Sequence, residues 1–122
     1  TLREDPMNQS LITLALLAVA GTTGAIMGLR LFQQKPSPVV MAVLHALFVI
    51  AGLFSLASIL AGGTGGNPLP AMALGLYIIA AIGGFMLMSS RFTETWPKRW
   101  VIASHGGFAA LGTTLVAIYA LS

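Results

Sequence analysis

Two histidines, His45 and His105, are the residues best able to do chemistry in this chain of 122 residues. An imidazole can bind a metal or exchange a proton near neutral pH. Both histidines lie in long apolar stretches, where an ionisable group is costly and marks a functional site by default. Each histidine begins the pattern H-x-x-F-x-x-x-G, and the two copies are His45, Phe48, Gly52 and His105, Phe108, Gly112. The sequence therefore predicts two equivalent groups that act together.

The distribution of charge indicates what kind of protein positions these histidines. Charged residues make up 7% of the chain and hydrophobic residues 57%, whereas a soluble domain has about 25% charged residues. Charges are missing from residues 6–29, 36–90 and 100–122, which are gaps of 24, 55 and 23 residues. A spanning helix needs about 20 apolar residues, so the middle gap fits two helices and each other gap fits one. The composition excludes a soluble catalytic domain and predicts an all-α membrane protein in contact with the lipid bilayer.

We expect a single four-helix transmembrane domain over residues 1–122, with helices at about 10–32, 38–61, 69–92 and 97–121. Asn8 or Ser10 can cap the first helix. The apolar run of this helix, residues 11–29, is longer than the core of a signal peptide, which has about 7–15 residues, so we expect it to be retained. The glycines at 62–66 separate the second helix from the third. Because all links are short, consecutive helices should be antiparallel neighbours in an up-down bundle.

The histidine pattern also predicts an internal repeat of two helix pairs. One copy of the pattern lies on the second helix and the other on the fourth. The preceding helices both end near an arginine, with Arg30 fifteen residues before His45 and Arg91 fourteen residues before His105. Four residue types that recur in the same order favour a duplicated helix pair over coincidence.

Basic residues are concentrated in the links that follow the first and third helices. These residues are Arg30, Lys35, Arg91, Lys98 and Arg99, while the opposite side carries only Arg3. The positive-inside rule predicts that the charged links 30–35 and 91–99 are cytoplasmic and that both termini are outside, as in a bacterial inner membrane. Trp96 and Trp100 lie at the same boundary, as aromatic anchors do. The basic pI is therefore explained by residues that orient the helices in the membrane, and we expect no nucleic-acid partner.

The predicted helices place the two histidines around one shared space. Each lies about 10–12 Å in from the cytoplasmic end of its helix, at a rise of 1.5 Å per residue, and the second and fourth helices face each other diagonally across a bundle. Two imidazoles at equal depth can ligate haem iron, one on each face. Phe48 and Phe108 could then pack against the macrocycle, and Gly52 and Gly112 would let it approach the backbone. Arg30 and Arg91 are the candidate partners of the propionates.

Other interpretations of these residues remain open. A histidine in a membrane helix often makes hydrogen bonds between helices. Two histidines are too few for a closed zinc site, which has four ligands, and copper would need methionine ligands from among Met27, Met41, Met86 and Met88. We interpret Gly24, Gly28, Gly83 and Gly84 as close helix crossings. The chain has no cysteine, which excludes thiol chemistry and iron–sulfur clusters.

The paired motifs around His45 and His105 resemble those of transmembrane b-type cytochromes with a four-helix core. The ascorbate-reducible and bacterial di-haem groups are the closest comparison, because in them helices of like direction each give one histidine to a haem. The resemblance implies electron transfer between a quinol pool and a partner redox protein. Those groups usually hold two haems, but this sequence has no histidine on the first or third helix. We therefore expect one haem b, ligated by His45 and His105.

Two other functions compete with that of a cytochrome. A small chain with few charges is also typical of a non-catalytic accessory or scaffold subunit in a larger membrane complex. A small multidrug exporter has a similar number of helices, but proton-coupled export needs a buried carboxylate, and the spans contain no Asp or Glu. A nucleophile–histidine pair is also excluded, since Ser104 and His105 are adjacent and project about 100° apart on a helix. We expect an electron-transfer protein or subunit rather than a stand-alone enzyme.

Overall fold

The chain forms four long helices. The computed structural model describes residues 5–122, apart from the side chain of Pro6, so Arg3 lies outside the described residues. The helices are α1 (Pro6–Phe32), α2 (Val39–Gly62), α3 (Leu69–Phe92) and α4 (Arg99–Leu121). Each is long and apolar enough to cross a membrane. This all-helical architecture is compatible with an integral membrane protein.

Local chemistry explains where the helices begin and end. The Asp5 carboxylate caps α1 by accepting from the Met7 N–H at 3.2 Å, so α1 begins at Pro6, and the prediction of a start near Ser10 with Asn8 or Ser10 as the cap was wrong. The backbone of Lys98 is extended, with φ −66° and ψ 141°. For this reason α4 begins at Arg99 rather than at Pro97. Gln34 and Glu94 have positive φ angles of 56° and 54°, which stops α1 and α3 at their charged ends.

The helices pack in pairs, α1 with α2 and α3 with α4. Within the first pair, Thr13 bonds to Ser55 and Ala20 bonds to His45. The partner number falls as the α1 number rises, so the two helices run antiparallel. α1 also packs along α4, and α2 packs less extensively against α3.

The apolar core lies away from the charged links. It is a cluster of Leu17, Leu56, Ala73, Tyr77 and Val116. Between the histidines and the charged links the buried residues are fewer, and they include Val101 and Ile102 on α4. Both histidines therefore lie in the half of the molecule that is opposite the main core cluster.

The outer surface of the helices is strongly apolar. Phe54 is 76% exposed and Phe85 is 71% exposed. Trp96 in the second charged link and Trp100 just after it are also exposed. An apolar surface of this extent is compatible with contact with lipid.

Candidate functional site

The structure brings the two histidines together across the bundle. His45 lies on α2 and His105 on α4, helices that are not themselves in backbone contact. The centres of the two imidazole rings are 6.4 Å apart, and the ring planes are inclined at 78°. Both residues are half-buried. Two ionisable side chains from separate helices therefore face the same space inside the bundle.

Each imidazole is held by the neighbouring helix through one ring nitrogen. Nδ1 of His45 lies 2.8 Å from the Ala20 carbonyl oxygen on α1, and Nδ1 of His105 lies 2.7 Å from the Ala80 carbonyl oxygen on α3. A carbonyl oxygen can only accept, so Nδ1–H donates in both bonds. In a neutral imidazole this leaves the lone pair on Nε2. Each histidine therefore presents one nitrogen that could bind a metal.

A glycine lies beneath each ring. A Cβ atom built on Gly24 would come within 2.8 Å of Cε1 of His45, and one built on Gly84 within 3.1 Å of Cε1 of His105. A Cβ atom built on Gly83 would come within 3.2 Å of the Cβ of His105. Glycine lets the imidazole lie directly against the neighbouring helix. Gly24, Gly83 and Gly84 are therefore close helix crossings, and the contact in each case is a histidine.

The ring separation can be compared with that required by one metal ion between two imidazoles. A metal–imidazole bond is about 2.0–2.1 Å and a ring nitrogen lies about 1.1 Å from its ring centre, so two imidazoles on opposite sides of an ion have centres about 6.3 Å apart. The observed separation is 6.4 Å. The distance between the two ring centres is therefore of the size that one metal ion between two imidazoles would require.

The donor set favours haem over a bare metal ion. Within residues 5–122 no three His, Cys, Asp or Glu side chains are grouped so that they could hold a metal. A closed zinc site needs four ligands, whereas haem brings four nitrogens of its own and needs two axial ligands. His45 and His105 are the two residues that could hold such a group.

The phenylalanines and glycines of the repeated motif lie further along α2 and α4. Phe48 and Phe108 are half-buried, one turn from the histidines. A Cβ on Gly52 would overlap the side chain of Leu17, and one on Gly112 would come within 3.0 Å of the Tyr77 ring. In the structure these two glycines are thus contacts within the helix pairs. Contact of any of the four residues with a cofactor stays a prediction.

Two arginines donate hydrogen bonds to backbone carbonyls next to the first charged link. Arg30 donates to the Pro36 carbonyl oxygen at 2.7 and 3.2 Å, and Arg91 donates to the Ser37 carbonyl oxygen at 3.1 Å. Arg99 lies over the Phe32 ring, at 5.7 Å from its centre. These bonds join α1, α3 and α4 at the charged end of the bundle. Binding of propionates by Arg30 and Arg91 stays a prediction.

Sequence reasoning missed the groups that hold the imidazoles. Ala20 and Ala80 act through their backbone carbonyls, which no side-chain pattern reveals. Thr23 was also missed, and its Oγ1 lies 3.3 Å from Nδ1 of His45. One signal could have found the alanines, because Ala20 and Gly24 precede Ala80 and Gly84 by the same 60 residues that separate the histidines.

Comparison with known proteins adds no assignment. No protein family matches the chain, and comparisons with curated proteins and with solved structures find no match either.

Proposed function

We propose that this protein is an integral membrane b-type cytochrome that holds one haem b between His45 and His105. The observation that carries the proposal is the ring separation of 6.4 Å, combined with an Nδ1–H bond to a backbone carbonyl at both histidines. A metal-bound histidine characteristically donates its other ring N–H to a carbonyl or carboxylate, which fixes its orientation. The pair has this arrangement on both sides.

The chain would contribute ligation, orientation and an apolar environment. His45 and His105 bind through Nε2, while Ala20 and Ala80 fix the direction of each ring. The spans contain no Asp or Glu, so no carboxylate competes for the space or supplies protons there. Haem iron supplies one-electron oxidation and reduction when bound. The function we propose is electron transfer between a quinol pool and a partner redox protein.

We further propose that the four helices form an up-down bundle made of two copies of one helix pair. Several matched features support a duplication. α1 and α3 end at Phe32 and Phe92, and α2 and α4 begin at Val39 and Arg99, in each case 60 residues apart. The bonds from His45 to Ala20 and from His105 to Ala80 both span 25 residues. Duplication gives two equivalent ligands from a single ancestral motif.

The orientation that we propose follows from the basic links. Links 30–35 and 91–99 face the cytoplasm and both termini face outside, as in a bacterial inner membrane. The histidines lie nearer to the charged links than to the glycine-rich link at 63–68. A haem there would have its propionates towards the cytoplasmic surface, within the region that Arg30 and Arg91 occupy.

The proposal is tested by a reduced-minus-oxidised visible spectrum of the detergent-purified protein. We expect a low-spin b-type spectrum in the unaltered chain and its loss in both His45→Ala and His105→Ala. Ser104→Ala is the matched control, because Ser104 adjoins His105 and, among the described residues, its hydroxyl bonds only to the Trp100 carbonyl of its own helix. That variant should keep the spectrum.

Two results would overturn the cytochrome. One is a protein that stays colourless after reconstitution with haem, and the other is a spectrum that survives both histidine substitutions. A colourless but stable protein would favour the accessory subunit of a larger membrane complex, in which the histidines act as hydrogen-bonding groups between helices.

A further inference from the structure

The two helices that carry no histidine present the same short motif to the two that do. On α1, Ala20 supplies the carbonyl to Nδ1 of His45 and Gly24 lies beneath the ring. On α3, Ala80 and Gly84 do the same for His105. We call each alanine carbonyl with its glycine, Ala20 with Gly24 and Ala80 with Gly84, a histidine seat. The seats lie on helices to which the sequence motif assigned no role.

The spacing of four residues within a seat has a physical reason. In an α-helix the carbonyl of residue i accepts the N–H of residue i+4, and residues i and i+4 lie one above the other on the same face. A second donor can reach that carbonyl only from the side, past the side chain of residue i+4. Glycine at 24 and at 84 has no side chain, so the imidazole can approach and donate.

The space beneath each ring is too small for a methyl group. A Cβ on Gly24 would lie 2.8 Å from Cε1 of His45 and 3.2 Å from its Nδ1, and a Cβ on Gly84 would lie 3.1 Å from Cε1 of His105. The atom in the way is the far end of the imidazole in both cases. An alanine would therefore be accommodated by moving the ring, which draws Nδ1 away from its carbonyl.

We propose that Gly24 and Gly84 are positioning residues that fix the tautomer of the two histidines. Each glycine keeps the Ala20 or Ala80 carbonyl open to Nδ1–H, and this leaves Nε2 as the ring nitrogen without a proton. The role in ligation rests on the proposed haem function, whereas the control of the tautomer follows from the contacts alone. The glycine thus determines which ring nitrogen is free to bind a metal.

The chain is well suited to a direct measurement of tautomers because it has only two histidines. Protein labelled with ¹⁵N-histidine gives two sets of ring-nitrogen resonances, which His45→Ala and His105→Ala assign. In the haem-free protein, at a pH where both rings are neutral, we expect both histidines to carry the proton on Nδ1. Gly24→Ala should abolish the Nδ1–H signature of His45 and leave His105 unchanged. Gly84→Ala should do the reverse.

The matched controls are Gly21→Ala on α1 and Gly75→Ala on α3. A Cβ at either position has no atom within 4 Å, so both variants should keep both signatures. A general effect of replacing glycine by alanine in these helices would alter the seat variants and the controls alike, and it would not select one histidine. Retention of both Nδ1–H signatures in Gly24→Ala and Gly84→Ala would overturn the inference.

Haem affinity separates this inference from the proposed function. Groups that orient a metal ligand typically contribute 10- to 100-fold to affinity, so the seat variants should bind haem about 10- to 100-fold more weakly than Gly21→Ala and Gly75→Ala. If the unaltered protein binds no haem, the proposed function fails while the NMR experiment still decides the seats. If it binds haem and the seat variants keep their tautomers, the proposed function stands, but the inferred role of Gly24 and Gly84 fails.

Discussion

A histidine inside a membrane span has two ring nitrogens, and this structure uses them differently. Nδ1 of His45 and of His105 is bonded to a carbonyl on the neighbouring helix. No hydrogen bond to either Nε2 occurs among the described residues. If the histidines served only as links between helices, one bond each would suffice, but it would not explain why two such rings meet at 6.4 Å. A binding site formed by both rings explains the matched pair better than two separate hydrogen bonds between helices do.

Tyr77 provides a prediction about a single buried hydrogen bond. Its O–H donates to Oγ1 of Thr113 at 2.6 Å, and Thr113 in turn donates to the Ala109 carbonyl. Tyr77→Phe removes the first bond without leaving the threonine unpaired. We expect the free energy of unfolding to fall by about 0.5–1.5 kcal/mol, the usual range for one such bond in a membrane bundle. Denaturant unfolding in detergent micelles measures the change.

Tyr119→Phe is the control for that measurement. Tyr119 is half-buried on the same helix pair, and its hydroxyl makes no hydrogen bond among the described residues. Its substitution should change the free energy of unfolding by less than about 0.5 kcal/mol. Equal losses in the two variants would show that the Tyr77 bond contributes nothing specific.

At the scale of the helices, Gly52 and Gly112 set how closely each pair packs. Both are buried, the first against Leu17 and the second against the Tyr77 ring. Alanine at either position overpacks the crossing, and we expect a loss of about 1–3 kcal/mol in the free energy of unfolding of the haem-free protein. Gly107→Ala has open space around it and should be neutral or slightly stabilising, because alanine favours helix more than glycine does.

This measurement also distinguishes the two roles assigned to these glycines. If Gly52 and Gly112 serve only to admit a macrocycle, the haem-free protein should unfold at the same denaturant concentration with glycine or with alanine. A destabilised haem-free protein assigns them to packing within α1·α2 and α3·α4. Haem content, measured on the same variants, reports any additional role.

Charge gaps and link residues were enough to predict the four helices from sequence, and the bounds of α3 were correct to the residue. The start of α1 was missed because a single carboxylate, Asp5, extends the helix by a turn. The pairing of His45 with His105 was predictable from depth and direction, since both are properties of a helix pattern. Their partners are backbone carbonyls, which every residue has, so side-chain type does not reveal them. Only the 60-residue repeat of Ala20 and Gly24 as Ala80 and Gly84 indicates their position.

At the scale of the whole molecule, the main core cluster and the histidines lie in different halves. The core cluster lies on the side of the link at 63–68, and the histidines and the arginine contacts lie on the other side. This division has a consequence for stability. Substitutions in the core should unfold the chain, whereas those at the histidines should leave it folded, which is what makes a spectroscopic test of the histidines possible.

The proposed orientation gives a prediction for the whole molecule. The chain has no cysteine, so single cysteines can be introduced without background. Thr95→Cys reports on the charged side, while Ala61→Cys and Ser122→Cys report on the opposite side, and all three positions are exposed. In intact cells, a membrane-impermeant maleimide should label residues 61 and 122 but not 95, because basic links are retained on the cytoplasmic side. After permeabilisation all three should be labelled to a similar extent. Labelling of residue 95 alone in intact cells would show the opposite orientation, with both histidines near the outer surface.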